Sequence, residues 1–111
     1  MEGIILALMK PIGTHNYYVY ILTNMRKAIL YTGVTNDLGT RLYQHREEAS
    51  LGGNSFAARY KCIYLVYYER FQYIEHAIAR EKEIKGCSRK KKDILISEFN
   101  QEWRFLDPEL D

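Results

Sequence analysis

"LYTGVTNDLGTRLYQH", Leu30 to His45, leaves a strand through Tyr31-Thr32-Gly33, starts a helix around Thr35-Asn36-Asp37 and points Arg41 and His45 along one side of it. Upstream, "NYYVYILTN" (Asn16–Asn24) and "ILYTGV" (Ile29–Val34) are rich in β-branched and aromatic residues, and the polar "TNMRKA" between them has turn character, so the two form a hairpin. Setting Leu22 opposite Ile29 places Tyr20 opposite Tyr31 and Tyr18 opposite Gly33, because residues facing each other on antiparallel strands share a face. Two phenols then meet beside a residue with no side chain. A one-residue slip would put them on opposite faces. A cross-strand aromatic pair in an ordinary core is the plain alternative.

The helix predicted over Asn36–Ser50 carries an apolar stripe of Leu38, Leu42 and Ala49, with His45 inside the stripe and Arg41 on its edge one turn earlier. Both therefore point toward the sheet. Arg41 could instead pair with Asp37 on the helix surface, and His45 could be a satisfied core histidine.

"IYLVYYERF" gives a third strand, and helical patterns cover Ile74–Lys85 and Arg89–Asn100, while "SLGGNS" reads as a flexible loop before a short helical turn at Phe56–Tyr60. The order β-β-α-(α)-β-α-α predicts an α+β fold, a small three-stranded, mainly antiparallel sheet flanked by helices. Met1–His15, with Pro11 and Gly13, reads as an irregular arm, residues 16–103 as the single folded domain and residues 104–111 as an acidic tail.

The chain has 111 residues, 47% hydrophobic and 27% charged, enough for one domain with a modest core. The apolar run Ile4–Met9 is far shorter than the roughly twenty residues of a bilayer span, so we expect no membrane partner and a cytoplasmic location. Cys62 and Cys87 stand apart without metal-ligand spacing, and both read as reduced thiols. The net charge of +2 hides an uneven distribution: Arg80–Lys92 has seven basic and two acidic residues, whereas Asp93–Asp111 has one basic and six acidic. Ser88 is a natural N-cap, which puts Arg89, Lys90, Lys91 and Lys92 in a first turn where the helix dipole disfavours cations. A solvated helix face is the plain explanation of such a run. A phosphate-binding patch is the functional one.

Glu81 is the sharpest anomaly. At about 100° per residue, Ile74, Ala77, Ile78, Ile84 and Lys85 cluster on one side of their helix, and Glu81 falls within the cluster. A carboxylate in that place needs a cationic or metal partner, or a cleft open to water. A salt bridge to Arg41 is the structural alternative.

Taken in order, Tyr18-Val19-Tyr20, then Tyr31-Thr32-Gly33, Arg41 ten residues beyond Tyr31, His45, and "AIAREKEIK" on a later helix resemble the GIY-YIG endonuclease superfamily, particularly its small stand-alone bacterial members. The likeness runs from about Tyr17 to Trp103. The superfamily includes the nuclease module of the bacterial excision-repair C subunit, which connects it with DNA repair, and its members cut DNA backbones with one divalent metal. By this resemblance Tyr20 matches the tyrosine of the first motif, Tyr31 the first tyrosine of the second, Gly33 its closing glycine, Arg41 the catalytic arginine and Glu81 the metal-binding glutamate. Tyr18 stands in place of the first glycine, and Val34 where some members have a lysine, which leaves Tyr31 or His45 to handle protons.

The resemblance implies a metal-dependent DNA endonuclease that hydrolyses phosphodiester bonds with a single Mg²⁺ or Mn²⁺ on Glu81 and no small-molecule cofactor. Lys85, Arg89, Lys90, Lys91 and Lys92 would grip the DNA backbone. A phosphodiester needs an activated water, a charge clamp on the phosphoryl oxygens and help for the leaving alkoxide, and Tyr31, Arg41 and the metal would supply these in turn. The alternative is a module of the same fold that binds nucleic acid without cutting it.

Overall fold

The computed structural model describes residues 16–107. It has strands β1 (Tyr17–Thr23), β2 (Leu30–Thr35) and β3 (Tyr64–Phe71), and helices α1 (Leu38–Ser50), α2 (Phe56–Arg59), α3 (Ile74–Lys85) and α4 (Arg89–Phe99). The sheet is antiparallel throughout, in the order β2-β1-β3. The expected element order and α+β class therefore hold. The irregular arm expected at Met1–His15 lies outside the described residues, as do the last four positions of the acidic tail. Among the described residues no helix is long and apolar enough to cross a membrane.

As the central strand, β1 is buried on both faces, and its alternation sends side chains into two separate cores. Val19 and Ile21 pack with Val66, Tyr67, Ala77, Ile84 and Ile96, the core shared with α3 and α4. Tyr20 and Leu22 pack with Leu38, Leu42, Ala57, Cys62 and Leu65, the core shared with α1 and α2. Helices thus cover both faces of the sheet. A bulge between Ile21 and Leu22 adds one residue to β3, so the consecutive Val66 and Tyr67 both serve the α3/α4 core. The Asn100 side chain, just after α4, donates to the Val66 carbonyl at 3.1 Å and to the Arg104 carbonyl at 2.8 Å, and Leu106 bridges Leu65 at the β3 edge.

The hairpin register differs from the expected one by two residues. Tyr20 lies opposite Gly33 and Leu22 opposite Tyr31. The turn explains the shift: the Asn24 side-chain oxygen accepts from Ala28 N and Ile29 N, Lys27 takes a left-handed φ of 60°, and the Thr23 hydroxyl donates to the Ile29 carbonyl. Thr23 stays in the strand and Ile29 is left in the turn. A shift of two keeps every face assignment, so Tyr20 and Tyr31 still share a face, as diagonal neighbours.

Gly33 is where the register matters sterically. A Cβ there would lie 2.5 Å from the Tyr20 hydroxyl oxygen and 3.0 Å from Cε1, and Tyr20, 1% exposed, has little room to retreat. Gly33→Ala should cost about 1–3 kcal/mol, the usual penalty of overpacking, measured by urea denaturation. An unchanged midpoint would mean that the phenol moves freely.

Candidate active site

Tyr20 is a polar side chain in a core, and its hydroxyl has a partner on α1. It lies 2.9 Å from His45 Nε2 in a buried hydrogen bond, in which the imidazole tautomer decides which group donates. The Arg41 guanidinium acts on the same phenol electrostatically. Burial, above all, pushes the Tyr20 phenol up to about 12; Arg41 opposes that rise, while Tyr31 and Glu81 add to it. Burial also lowers the pKa of His45, helped by the charge of Arg41 and opposed by Glu48.

Tyr31 is half-buried on edge strand β2. Its ring lies 6.3 Å from that of Tyr20 and 5.4 Å from the imidazole, edge-on to the latter. Arg41 acts on this phenol too, and its own pKa rises despite partial burial, first through the neighbouring Tyr20 hydroxyl. Its Nη1 donates to Gln44 Oε1 at 3.1 Å. Asp37 caps α1 through its side chain, accepting from Thr40 N, so the helix starts two residues later than expected. Leu38, Leu42, His45 and Ala49 are its buried face, as the stripe implied.

Glu81 comes from the other side of the sheet. Of the apolar positions around it on α3, Ala77 and Ile84 are buried, whereas Ile74 and Ile78 are exposed; α3 presents a narrower inward face than the pattern suggested. The Glu81 side chain is 16% exposed and pairs with Lys85 Nζ at 3.1 Å. Among the described residues no ion pair joins it to Arg41. Since α3 packs against the edge strand β2 as well as β1, the carboxylate's charge is felt at the Tyr20 phenol. Tyr20, Tyr31, Arg41 and His45 thus form one contact cluster, and Glu81 couples to it through its field.

Among the described residues no group of three or more His, Cys, Asp or Glu side chains could cage a metal ion. A lone, partly accessible carboxylate suits a cation that keeps much of its water and takes further oxygens from a phosphate, as Mg²⁺ does. The donor set at Glu81 fits such an ion.

The basic run divides in two. Ser88 caps α4 as expected, its hydroxyl accepting from Lys91 N. Arg89 holds the hairpin turn, donating to the Ala28 and Lys27 carbonyls at 2.6 and 3.1 Å and pairing with Asp93 at 2.8 Å. Lys90 and Lys91 are exposed, Lys92 is half-buried, and Lys85 is the partner of Glu81.

The model of the GIY-YIG catalytic domain matches residues 16–93, which include the cluster and Glu81. The chain belongs to the GIY-YIG catalytic domain family. The chain is similar to a UPF0213 protein of Bacillus pumilus, 36% identical over 79% of this chain and 86% of that protein. UPF0213 proteins of Staphylococcus saprophyticus (37% identical, 74% of this chain, 95% of that one) and Natronomonas pharaonis (36%, 75% and 93%) are similar too. A solution NMR structure of the UPF0213 protein of Bacillus halodurans is 36% identical and covers 74% of this chain and 83% of that one, with a TM-score of 0.47.

Two neighbours of the GIY-YIG cluster were not singled out from sequence. Gln44 sits one turn beyond Arg41, a spacing that could have been read. Phe56 stacks on Tyr31 at 6.5 Å, across a loop whose course the local pattern does not encode.

The His45 pKa has a stability consequence. It is depressed in the fold below its unfolded value of about 6.5, so the unfolded chain binds the proton more readily. The contribution is present above about pH 6.5 and is lost as pH falls below that value toward the folded pKa. Urea midpoints at about pH 7.5 and 5.0 should therefore drop in acid for the wild type. His45→Gln should be about 1–2 kcal/mol less stable near neutrality, for the lost partner of Tyr20, and should show a smaller drop.

Proposed function

We propose that this GIY-YIG domain is a divalent-metal-dependent DNA endonuclease hydrolysing phosphodiester bonds. The observation that carries the proposal is the convergence of two phenols, an imidazole and a guanidinium charge: the half-buried Tyr31 ring lies 6.3 Å from that of the buried Tyr20 and 5.4 Å from His45, and Arg41 acts on both phenols.

Tyr20 and His45 act as positioning residues. Tyr20 is buried, burial pushes its phenol up to about 12, and its hydroxyl is held by His45. Tyr31 is the accessible phenol, and we assign it the proton of the attacking water. A phenol takes up a proton at neutral pH only as it surrenders its own, so the step is a relay: the water proton arrives at the Tyr31 oxygen while its hydroxyl proton passes to solvent. The water oxygen forms the new bond to phosphorus, and the bond to the leaving alkoxide breaks. Arg41 holds a non-bridging phosphoryl oxygen, where negative charge develops. A divalent cation on Glu81 supplies charge stabilisation at the leaving oxygen when bound. Lys85 is half-exposed, so its pair with Glu81 is a weak one and can yield to that cation.

The Lys85–Glu81 pair favours the alternative, a module that binds DNA without cutting. Nicking of supercoiled plasmid in Mn²⁺ decides between them. Wild type should nick, Tyr31→Phe and Arg41→Ala should lose about 10²–10³-fold, and Glu81→Gln should lose cleavage while keeping its melting temperature and DNA affinity. A drop in melting temperature for Glu81→Gln, with no nicking by wild type, would favour the binding module.

The grip on the backbone falls to Lys90, Lys91 and Lys92, since Arg89 is held by the hairpin turn and Asp93 and Lys85 is held by Glu81 until a cation takes its place. Changing all three to Ala should weaken DNA binding regardless of sequence and lower the slope of log affinity against log salt by about 2–3, near 0.9 for each phosphate that is no longer neutralised. An unchanged slope would make the run a solvated face.

A further inference from the structure

Tyr31 does not end the aromatic surface of the cluster. The Phe56 ring stacks on it at 6.5 Å with an interplanar angle of 25°, and the Tyr60 ring follows at 4.8 Å. The Arg59 guanidinium lies 5.9 Å from the centre of the Tyr60 ring. Phe56 and Tyr60 are 50% and 43% exposed, so this row of rings leads from the phosphate clamp out into solvent.

The row is held rigidly from below. Ala57 and Ala58 face the core, Ser55 accepts from Ala58 N, and Cys62 N donates to the Ala57 carbonyl at 2.8 Å. Lys61 adopts a left-handed φ of 55°, which a non-glycine residue keeps only where its surroundings impose it. The small residues of this turn bury themselves, and its two large rings are presented outward. A pair spaced i, i+4 stabilises a helix by only about 0.2–0.5 kcal/mol, which does not account for leaving two rings so exposed.

We propose that Phe56 and Tyr60 form a stacking platform for unpaired nucleobases of the DNA strand held at Arg41, so that the preferred substrate carries a single-stranded segment beside the cleaved phosphate. This rests on the nuclease assignment above for the identity of the ligand. Paired bases keep their faces stacked on one another, whereas unpaired bases offer both faces to protein rings, and such stacking is tolerant of sequence. Arg59 and Lys61 flank the rings and supply the positive charge that a backbone tracking along them requires.

The test is binding in EDTA, which is independent of catalysis. Fluorescence anisotropy of a labelled oligo-dT of about twelve nucleotides should give a higher affinity than a duplex of equal length. Phe56→Ala and Tyr60→Ala should each weaken oligo-dT binding roughly five- to a hundredfold and leave the duplex unchanged. Phe56→Trp should retain binding, and its added fluorescence, measured against wild type with Trp103 alone, should be quenched by oligo-dT. Equal affinity for the two DNA forms, equal losses for both in Phe56→Ala, or unquenched Phe56→Trp fluorescence would overturn the platform. Stacking without nicking would uphold it and sink the catalytic assignment; nicking without stacking would do the reverse.

Discussion

A phenol on the central strand lies against a glycine on the edge strand, and the rest of the site depends on that apposition. Tyr20 could not occupy its place if Gly33 carried a Cβ. Once there, its hydroxyl is buried and must be satisfied: a net hydrogen bond contributes about 0.5–1.5 kcal/mol, but an orphaned buried hydroxyl costs about 1–3. His45 provides the partner from α1, 2.9 Å away. A steric constraint in the hairpin thereby becomes a positional constraint on an imidazole in the helix layer.

That chain of constraints explains what could be read from sequence. Period-2 alternation put Tyr20 and Tyr31 on one face, and this survived a two-residue error in register because parity alone decides faces. The error arose in the turn, where the Asn24 side chain and the left-handed Lys27 set the loop, features that a propensity scan does not weigh. The α1 stripe was legible because a helix fixes the direction of every side chain once one face is known. The course of α3 was not. Nothing in "IEHAIAREKEIK" states which face of the sheet it covers, and only its Ala77 and Ile84 are buried although it packs against all three strands. Arg89 was opaque for a related reason: its charge is plain in the sequence, but its bonds to the Lys27 and Ala28 carbonyls span more than sixty residues and exist only once the hairpin and α4 meet.

Covering the sheet on both faces also has an electrostatic effect. Arg41 reaches the phenols from the α1 side, and the Glu81 charge acts on them from α3. At Tyr20 the two oppose one another: Arg41 lowers the phenol pKa, and Glu81 raises it. Lys85, half in solvent, is the counter-charge of Glu81.

Stiffness and access are divided among the same few side chains. Tyr20 and His45 are sealed in the core and hold their geometry whatever happens at the surface. Tyr31, Arg41 and Glu81 sit at the boundary, and the outer bonds of Arg41 to Gln44 and of Glu81 to Lys85 involve exposed partners. Bonds to exposed groups are worth little in water and can be exchanged for bonds to an arriving phosphate at small cost, whereas the buried ones cannot. A site with all its polar groups buried would be stable but closed, and one with all of them exposed would lose its geometry. Anchoring one phenol and one imidazole in the core, beside a guanidinium whose outer bond goes to the exposed Gln44, meets both demands.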